Sequence, residues 1–155
     1  MTIQSTAGTT LKVIASQPST FDSAGYATLF AGGSFVGEIT DLGEFGRDYT
    51  LITHNPIGTR GTKKLKGSFN EGTMTLSLGL DTDDAGQIVM KAASLSDADY
   101  SFMVTMQNTD KYFFQAKVMS WKVGAGSVDS ITKATCTLEL TTSTAGVGIV
   151  ESLAA

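Results

Sequence analysis

A mainly β domain with one minor helix is predicted by three features of the sequence. Glycine is abundant at 17 residues, proline occurs only twice, and Thr and Ser are frequent, a composition that favours short strands and tight turns. Apolar and small polar residues alternate strictly through Met74, Leu76, Leu78 and Leu80, the period of a strand with one dry face. Two further period-two runs, Tyr100 to Met106 and Tyr112 to Val118, flank the turn Gln107 to Asp110 and form a hairpin.

The 155 residues suffice for one sizeable core and are too few for two comfortable domains. Residues 1–155 are therefore expected to form one domain with arms at about 1–10 and 142–155. The first arm is mostly Thr, Ser, Gly and Gln, and the second carries Glu151 as its only charge. Leu11 to Ala15 has the content of a short strand, broken by Gln17-Pro18-Ser19. Phe21 to Phe30 fits either a turn of helix or a strand, and Phe35 to Thr40 is expected as a strand.

The residues from Leu42 to Lys66 are expected to form a long hairpin or excursion, with acids on its entry side and bases on its exit side. Glu38, Asp41, Glu44 and Asp48 precede the turn His54-Asn55-Pro56, and Arg60, Lys63, Lys64 and Lys66 follow it. Between these blocks Phe45, Tyr49, Leu51, Ile52 and Ile57 have no core of their own. Such a segment is expected to be mobile until a partner orders it.

Asp81-Thr82-Asp83-Asp84 is expected to supply the N-cap and first-turn acids of a helix reaching about Ser94, with Ala85, Ile88, Val89 and Ala92 on its apolar stripe. Met119, Trp121 and Val123 continue the apolar side after Val118 out of phase. One extra residue near Val118 to Ser120, a β-bulge, would restore it. Trp121 is then core or subunit contact rather than a ligand platform. After Gly124-Ala125-Gly126, the residues Ala134, Cys136, Leu138 and Leu140 mark a last strand.

Catalysis finds no support. His54 is the sole histidine and lies beside a turn proline, so neither a His-based metal site nor a Ser-His-Asp triad can be built around it convincingly. Cys136 falls on an apolar strand face, where a buried inert thiol is expected, and a single cysteine excludes an internal disulfide framework. Capping accounts for the acids at 81–84 without a metal, and Asp97 and Asp99 flank a turn, so no acid/base pair stands out. The glycines at 32–33 and 58–61 do not form a phosphate cradle. No cofactor is expected.

Eleven basic residues against 15 acidic give a net charge of −4, not the footprint of a protein that grips phosphate backbones. Residues 1–10 carry neither the charge nor the apolar run of a signal peptide or membrane anchor. Folding in a cytoplasm is expected.

The segment Gly37-Glu38-Ile39-Thr40-Asp41-Leu42-Gly43-Glu44-Phe45-Gly46, followed by Tyr49, Thr53-His54-Asn55-Pro56 and Lys66-Gly67-Ser68-Phe69, resembles the tail tube proteins of lambda-like, long non-contractile-tailed bacteriophages. The resemblance continues through Met74 to Asp84 and the Tyr100 to Val118 hairpin, from about Phe21 to Leu140. It implies a β-sandwich or flattened barrel with one helix, and a structural virion protein whose subunits form hexameric rings stacked into a hollow tube. DNA would pass through the lumen without specific binding. Partners would be other copies, a tape measure protein, and tail-tip initiator and terminator proteins.

Given that resemblance, Phe45, Arg47, Asp48, Tyr49, Leu51, Ile52, Ile57, Arg60, Lys63, Lys64 and Lys66 are expected to make the contact between stacked rings. Glu38, Asp41 and Glu139 are the candidate carboxylates of a net acidic lumen. Two other readings remain: a tube subunit of a type VI secretion or contractile-tail-like system, and a carbohydrate-binding or adhesive β-sandwich. The last would favour exposed aromatics for stacking, whereas most aromatics here fall on predicted core faces.

Overall fold

A computed structural model of the chain describes residues 3–153. Along it run β1 (Thr10–Ile14), α1 (Ser23–Leu29), β2 (Ser34–Phe35), β3 (Ile39–Asp41), β4 (Asp48–His54), β5 (Lys63–Asn70), β6 (Thr73–Gly79), α2 (Ala85–Ser94), β7 (Tyr100–Thr105), β8 (Lys111–Gly124), β9 (Lys133–Thr141) and β10 (Val150–Ser152). Eight strands form one antiparallel sheet in the order β2-β1-β7-β8-β9-β6-β3, with β10 also paired to β8. The sheet curls into a half barrel, and β4 and β5 form a separate two-stranded sheet.

One face of the main sheet is dry across its width. Leu11 and Val13 of β1, Phe102 and Val104 of β7, Phe114, Ala116 and Val118 of β8, Ala134, Cys136, Leu138 and Leu140 of β9, and Met74, Leu76 and Leu78 of β6 form one cluster, capped by Met90 and Ala93 of α2. Register follows from this alternation. A one-residue slip of β6 would expose all three of its buried side chains, at roughly 5–9 kcal/mol from about 1.5–3 kcal/mol for each.

The bulge predicted in β8 lies between Val118 and Ser120. Val118 pairs with Leu138 and Ser120 with Thr137, so Met119 is the extra residue and turns outward, while Trp121 arrives opposite Cys136 and packs against the core. Of the residues expected to carry the apolar side beyond the bulge, Trp121 is half-buried against the core and Met119 is exposed. Val123, near the strand's end, is mostly in water.

The opposite face is covered only over β1, β7 and the start of β8, by a helix that composition left ambiguous. Residues 21–30 contain α1, so the described residues hold two helices where one was expected. The Asp22 side chain caps α1 by accepting from the Gly25 N–H at 2.7 Å and from the Thr20 hydroxyl at 3.0 Å, which holds its carboxyl below the usual range. Tyr26 stacks on Phe113 at 5.1 Å between ring centroids and packs with Phe30 and Met103. Inside, the Gln115 amide donates to the Tyr26 hydroxyl (3.0 Å) and to the Ser101 hydroxyl (2.7 Å).

Helix α2 occupies the predicted segment but presents a different side. Its buried residues are Gly86, Gln87, Met90 and Ala93, whereas Ile88 of the expected stripe is 54% exposed. Gly86 decides the face, because a Cβ there would collide with the Phe35 carbonyl, so the helix can approach β2 only along its glycine. Gln87 is buried because it is fully used: its amide donates to the carbonyls of Gly37 (3.1 Å) and Gly79 (2.9 Å) and accepts from the Asp81 N–H (3.0 Å). Asp84 is the N-cap, but Asp81 and Asp83 precede the first turn, which holds no acid.

The strand expected over 35–40 is split into β2 and β3, with Glu38 at φ 60 breaking it. At the ends, Met1, Thr2, Ala154 and Ala155 lie outside the described residues. Gln4 accepts from the Asn108 N–H at 3.0 Å, and Val150 of β10 pairs with Phe113.

Two expected outcomes follow from this packing. Burial pushes the Cys136 thiol up to about 12, while an unfolded thiol ionises near 9, so its contribution to stability is intact below pH 9 and declines as pH rises toward 12. Native protein at pH 8.5 should resist a thiol reagent, and Cys136→Ser should cost about 1–3 kcal/mol in urea unfolding if its hydroxyl is unpaired; rapid labelling would count against burial. Gly86→Ala, although it gains roughly 1 kcal/mol in helix propensity, should still destabilise, because the methyl meets backbone.

Candidate assembly surfaces

Among the described residues the β4–β5 hairpin pairs only with itself. Leu51 faces Lys66 and Thr53 faces Lys64 on one side of the ribbon, while Ile52 faces Leu65 and His54 faces Lys63 on the other. Neither side is dry: Leu51 and Leu65 are 63% exposed, Ile52 is 46% exposed, and Ile57 at the tip is fully exposed. Two-stranded ribbons without a packed face are marginal in water, so something must hold this one in place.

Its root supplies the hold. Arg47 Nε lies 2.7 Å from Glu71 Oε1, and the second oxygen of Glu71 accepts from the Ile149 N–H at 3.0 Å. Glu71 is almost wholly buried, so a charged carboxylate ties the start of β4, the end of β5 and the C-terminal segment together. The Arg47 guanidinium also lies over the Phe69 ring at 3.9 Å, and Tyr49 meets Phe69 edge-on at 5.9 Å.

The residues expected in the stacking loop therefore separate. Phe45 belongs to the body, its ring 5.3 Å from that of Tyr112 and 5.9 Å from that of Phe114. Arg47 and Tyr49 form the root. Asp48, Leu51 and Ile52 lie on β4, Ile57 and Arg60 at the tip, and Lys63, Lys64 and Lys66 on β5, which runs on to Asn70 rather than stopping at 66. Of the four preceding acids only Asp48 is in the ribbon, opposite Asn70 at its base, so the outer half is plainly basic. Leu65, Phe69 and Glu71 were missed by sequence reasoning. Leu65 and Phe69 carry a weak alternation signal, but nothing local marks Glu71 as buried.

The uncovered face of the main sheet is a small-polar surface. Thr73, Thr75 and Ser77 of β6 lie opposite Glu139, Thr137 and Thr135 of β9, and Thr73 donates its hydroxyl to Glu139 at 2.8 Å. Asp41 joins this surface opposite Ser77, and Glu38 adjoins Gly79 at its border. Lys117, Lys122 and Lys133 share it; Lys117 pairs with Asp99 at 2.7 Å. Three lysines thus stand among the carboxylates of this face, one of them, Lys117, already paired with Asp99.

A third surface lies between α2 and the end of β8, where a groove of about 570 Å³ is lined by Leu80, Ile88, Ala92, Leu95, Trp121 and Val123, with Asp81 and Lys91 as its charges. Among the described residues no group of three His, Cys, Asp or Glu could hold a metal ion. No helix there is long and apolar enough to cross a membrane.

Several solved structures share this architecture. A chain of the sheath/tube terminator of the extracellular contractile injection system PVC superposes with a TM-score of 0.65 at 10% identity, covering 93% of this chain and 92% of the other. The SPP1 tail tube matches with a TM-score of 0.60 at 14% identity over 94% and 77%. A chain of the tube-terminating cap of the anti-feeding prophage matches at 0.61 with 15% identity over 93% and 88%. The fold is the tail-tube fold. No family model matches the chain, and no curated protein matches it in sequence.

Within the tail-tube fold of this chain, the Arg47–Glu71 pair should respond unequally to its two halves. Arg47→Met leaves a buried carboxylate with a single N–H partner, whereas Glu71→Gln keeps an acceptor for Ile149 and leaves Arg47 near solvent. Glu71→Gln should cost about 1.5–3 kcal/mol, the scale of hydrogen bonds to a charged group, and Arg47→Met should cost more. Urea midpoints of the two variants measure the order, and the reverse order would refute the anchoring role.

Proposed function

We propose that the chain is a structural protein, the subunit of the tail tube of a long-tailed, non-contractile bacteriophage, assembling as hexameric rings stacked into a conduit for the genome. The observation that carries this reading is the β4–β5 hairpin: a basic ribbon with apolar side chains on both faces, anchored at its root, on a body whose fold is shared with the SPP1 tail tube. A monomer gains nothing from such a ribbon, whereas a stacked neighbour buries it.

In this reading the hairpin is the contact between rings. Leu51, Ile52, Ile57 and Leu65 supply affinity, while Arg60, Lys63, Lys64 and Lys66 set direction and register, since single exposed ion pairs contribute only about 0.2–1 kcal/mol. The small-polar face of β6, β8 and β9 is the wall we assign to the lumen. Glu139 and Asp41 lie on it and Glu38 at its border, and with Lys117 paired to Asp99 the wall offers no unbroken basic stripe, so that DNA slides without being held. A tape measure protein within the tube, a tail-tip initiator and a terminator would be its partners, in the virion tail after synthesis in the host cytoplasm.

The likeness to the PVC terminator favours a second reading, the inner tube or terminator of a contractile injection system. Association with a sheath would separate the two, since a non-contractile tail has none. Negative-stain microscopy of concentrated protein should show stacked rings or tubes; a persistent monomer would overturn both readings.

Charge reversal tests the role of the hairpin. Changing Lys63, Lys64 and Lys66 together to Glu should stop tube growth while the monomer's unfolding free energy stays within about 0.5 kcal/mol per exposed substitution. Undisturbed growth of that variant would remove the hairpin from the stacking contact.

A further inference from the structure

We propose that the groove between α2 and the end of β8 receives the β4–β5 hairpin of a second copy of this chain, an inference that rests on the tube reading and identifies the surface its stacking hairpin meets. Helix α2 is apolar on two sides. It buries Gly86, Met90 and Ala93 against its own sheet, yet Ile88 remains 54% exposed and Leu95 86% exposed. An ordinary surface helix turns its polar residues outward, so a second apolar side calls for a second packing partner. Beside it, Trp121 is only partly covered and Val123 is 57% exposed, which makes the floor continuous from helix to strand.

The hairpin of the same chain does not fill the groove, because Leu51, Ile52, Ile57 and Leu65 are all in water. A second copy supplies the same thin ribbon from outside. Its Ile52–Leu65 pair and Ile57 offer apolar side chains for a trough of about 570 Å³.

Charge gives the direction. The groove carries Asp81 before the start of α2, with Asp83 next to it, and Lys91 in the helix's last turn. The ribbon is basic in its outer half, at Arg60, Lys63 and Lys64, with Lys66 at mid-length, and at its base Arg47 is paired with Glu71, which leaves Asp48 as the acid there. Laying the tip toward Asp81 and the base toward Lys91 matches both ends, whereas the reverse opposes like charges. Hairpin and groove are different surfaces of one chain, so the contact is head-to-tail and leaves a free hairpin and a free groove for the next copy.

Cysteine cross-linking tests this in the full chain, with little background because Cys136 is buried. Copies bearing Ile57→Cys are mixed with copies bearing Ile88→Cys, and Leu65→Cys with Leu95→Cys, then assembled and mildly oxidised. A mixed disulfide dimer is expected from at least one pair and not from Ile57→Cys with Thr75→Cys on the polar face. Tubes in the microscope without either groove disulfide would overturn the groove while leaving the tube reading intact; absence of both tubes and disulfides would overturn both. Trapping of a groove cysteine by Ile3→Cys or Leu153→Cys instead would assign the groove to a terminal segment and overturn the proposal. Leu95→Glu, at an exposed position, should preserve the monomer's unfolding curve and abolish assembly, and normal growth of that variant would also count against the groove.

Discussion

The dry face of the main sheet has to stay continuous from β1 to β6, and the phase of β8 is what keeps it so. This strand is 14 residues long and pairs with β7, β10 and β9 in turn, so a phase error within it would propagate to every neighbour. A regular strand continuing from Val118 would keep Ser120 on the dry face opposite Cys136 and turn Trp121 outward with Met119. Ejecting Met119 at the bulge costs one unpaired ladder position but places Trp121 opposite Cys136, beside Val118 and Leu138. Cys136 and its neighbours therefore owe their burial to an irregularity in the adjacent strand. The same alternation sends Thr and Ser of β6 and β9 to the far side, so the polar face follows from the dry one.

Regions governed by a local period were legible in the sequence. Strands β6, β7, β8 and β9 were marked by alternation, and the bulge by a break in it. What was not legible depended on contacts far along the chain. The buried side of α2 is chosen by Gly86 and by three backbone partners of Gln87, none of which hydrophobicity registers; Ile88, the more apolar residue, faces water. The seven-residue α1 has one capping side chain and a glycine within it, and only stacking of Tyr26 on Phe113 explains its existence. Among the candidate site residues, the charge block at 60–66 was visible, but its division between tip and strand was not. Phe45 looked orphaned because its partners, Tyr112 and Phe114, lie nearly 70 residues away.

Glu71 links these two scales. It is the residue that turns an exposed, flexible-looking segment into a positioned one, by joining Arg47 at one end of the hairpin to the Ile149 backbone on the C-terminal segment. Gly148 makes this possible, since a side chain there would run into the Glu71 carboxylate at 2.5 Å. The buried charge is tolerable because both oxygens have partners and the countercharge reaches solvent. Positioning reduces the ordering entropy that a floppy loop would lose on meeting a neighbour, though the tip beyond Asn55 and Thr62 lies outside this clamp.

How the chain avoids uncontrolled association is also set by its strands. The sheet's two outer strands, β2 and β3, have only two and three residues, and the irregular backbone at Glu38 separates them. Short, bent edges offer few unpaired N–H and C=O groups to an incoming strand, so indiscriminate edge-to-edge growth is blunted. The apolar surface left in water lies instead on the hairpin and on the outer side of α2. A contact built from side chains at these two places is individually modest, because each buried Leu or Ile contributes about 1.5–3 kcal/mol against the cost of association. In the proposed tube, closing a ring would change that balance. With several copies held together, each further hairpin would meet its partner at a high effective concentration, so that contacts too weak to join two free monomers would suffice to hold a stack. A main sheet with blunt edges, an anchored ribbon and a separate apolar groove would suit the proposed tube subunit, which would stay monomeric until a template supplied a first ring.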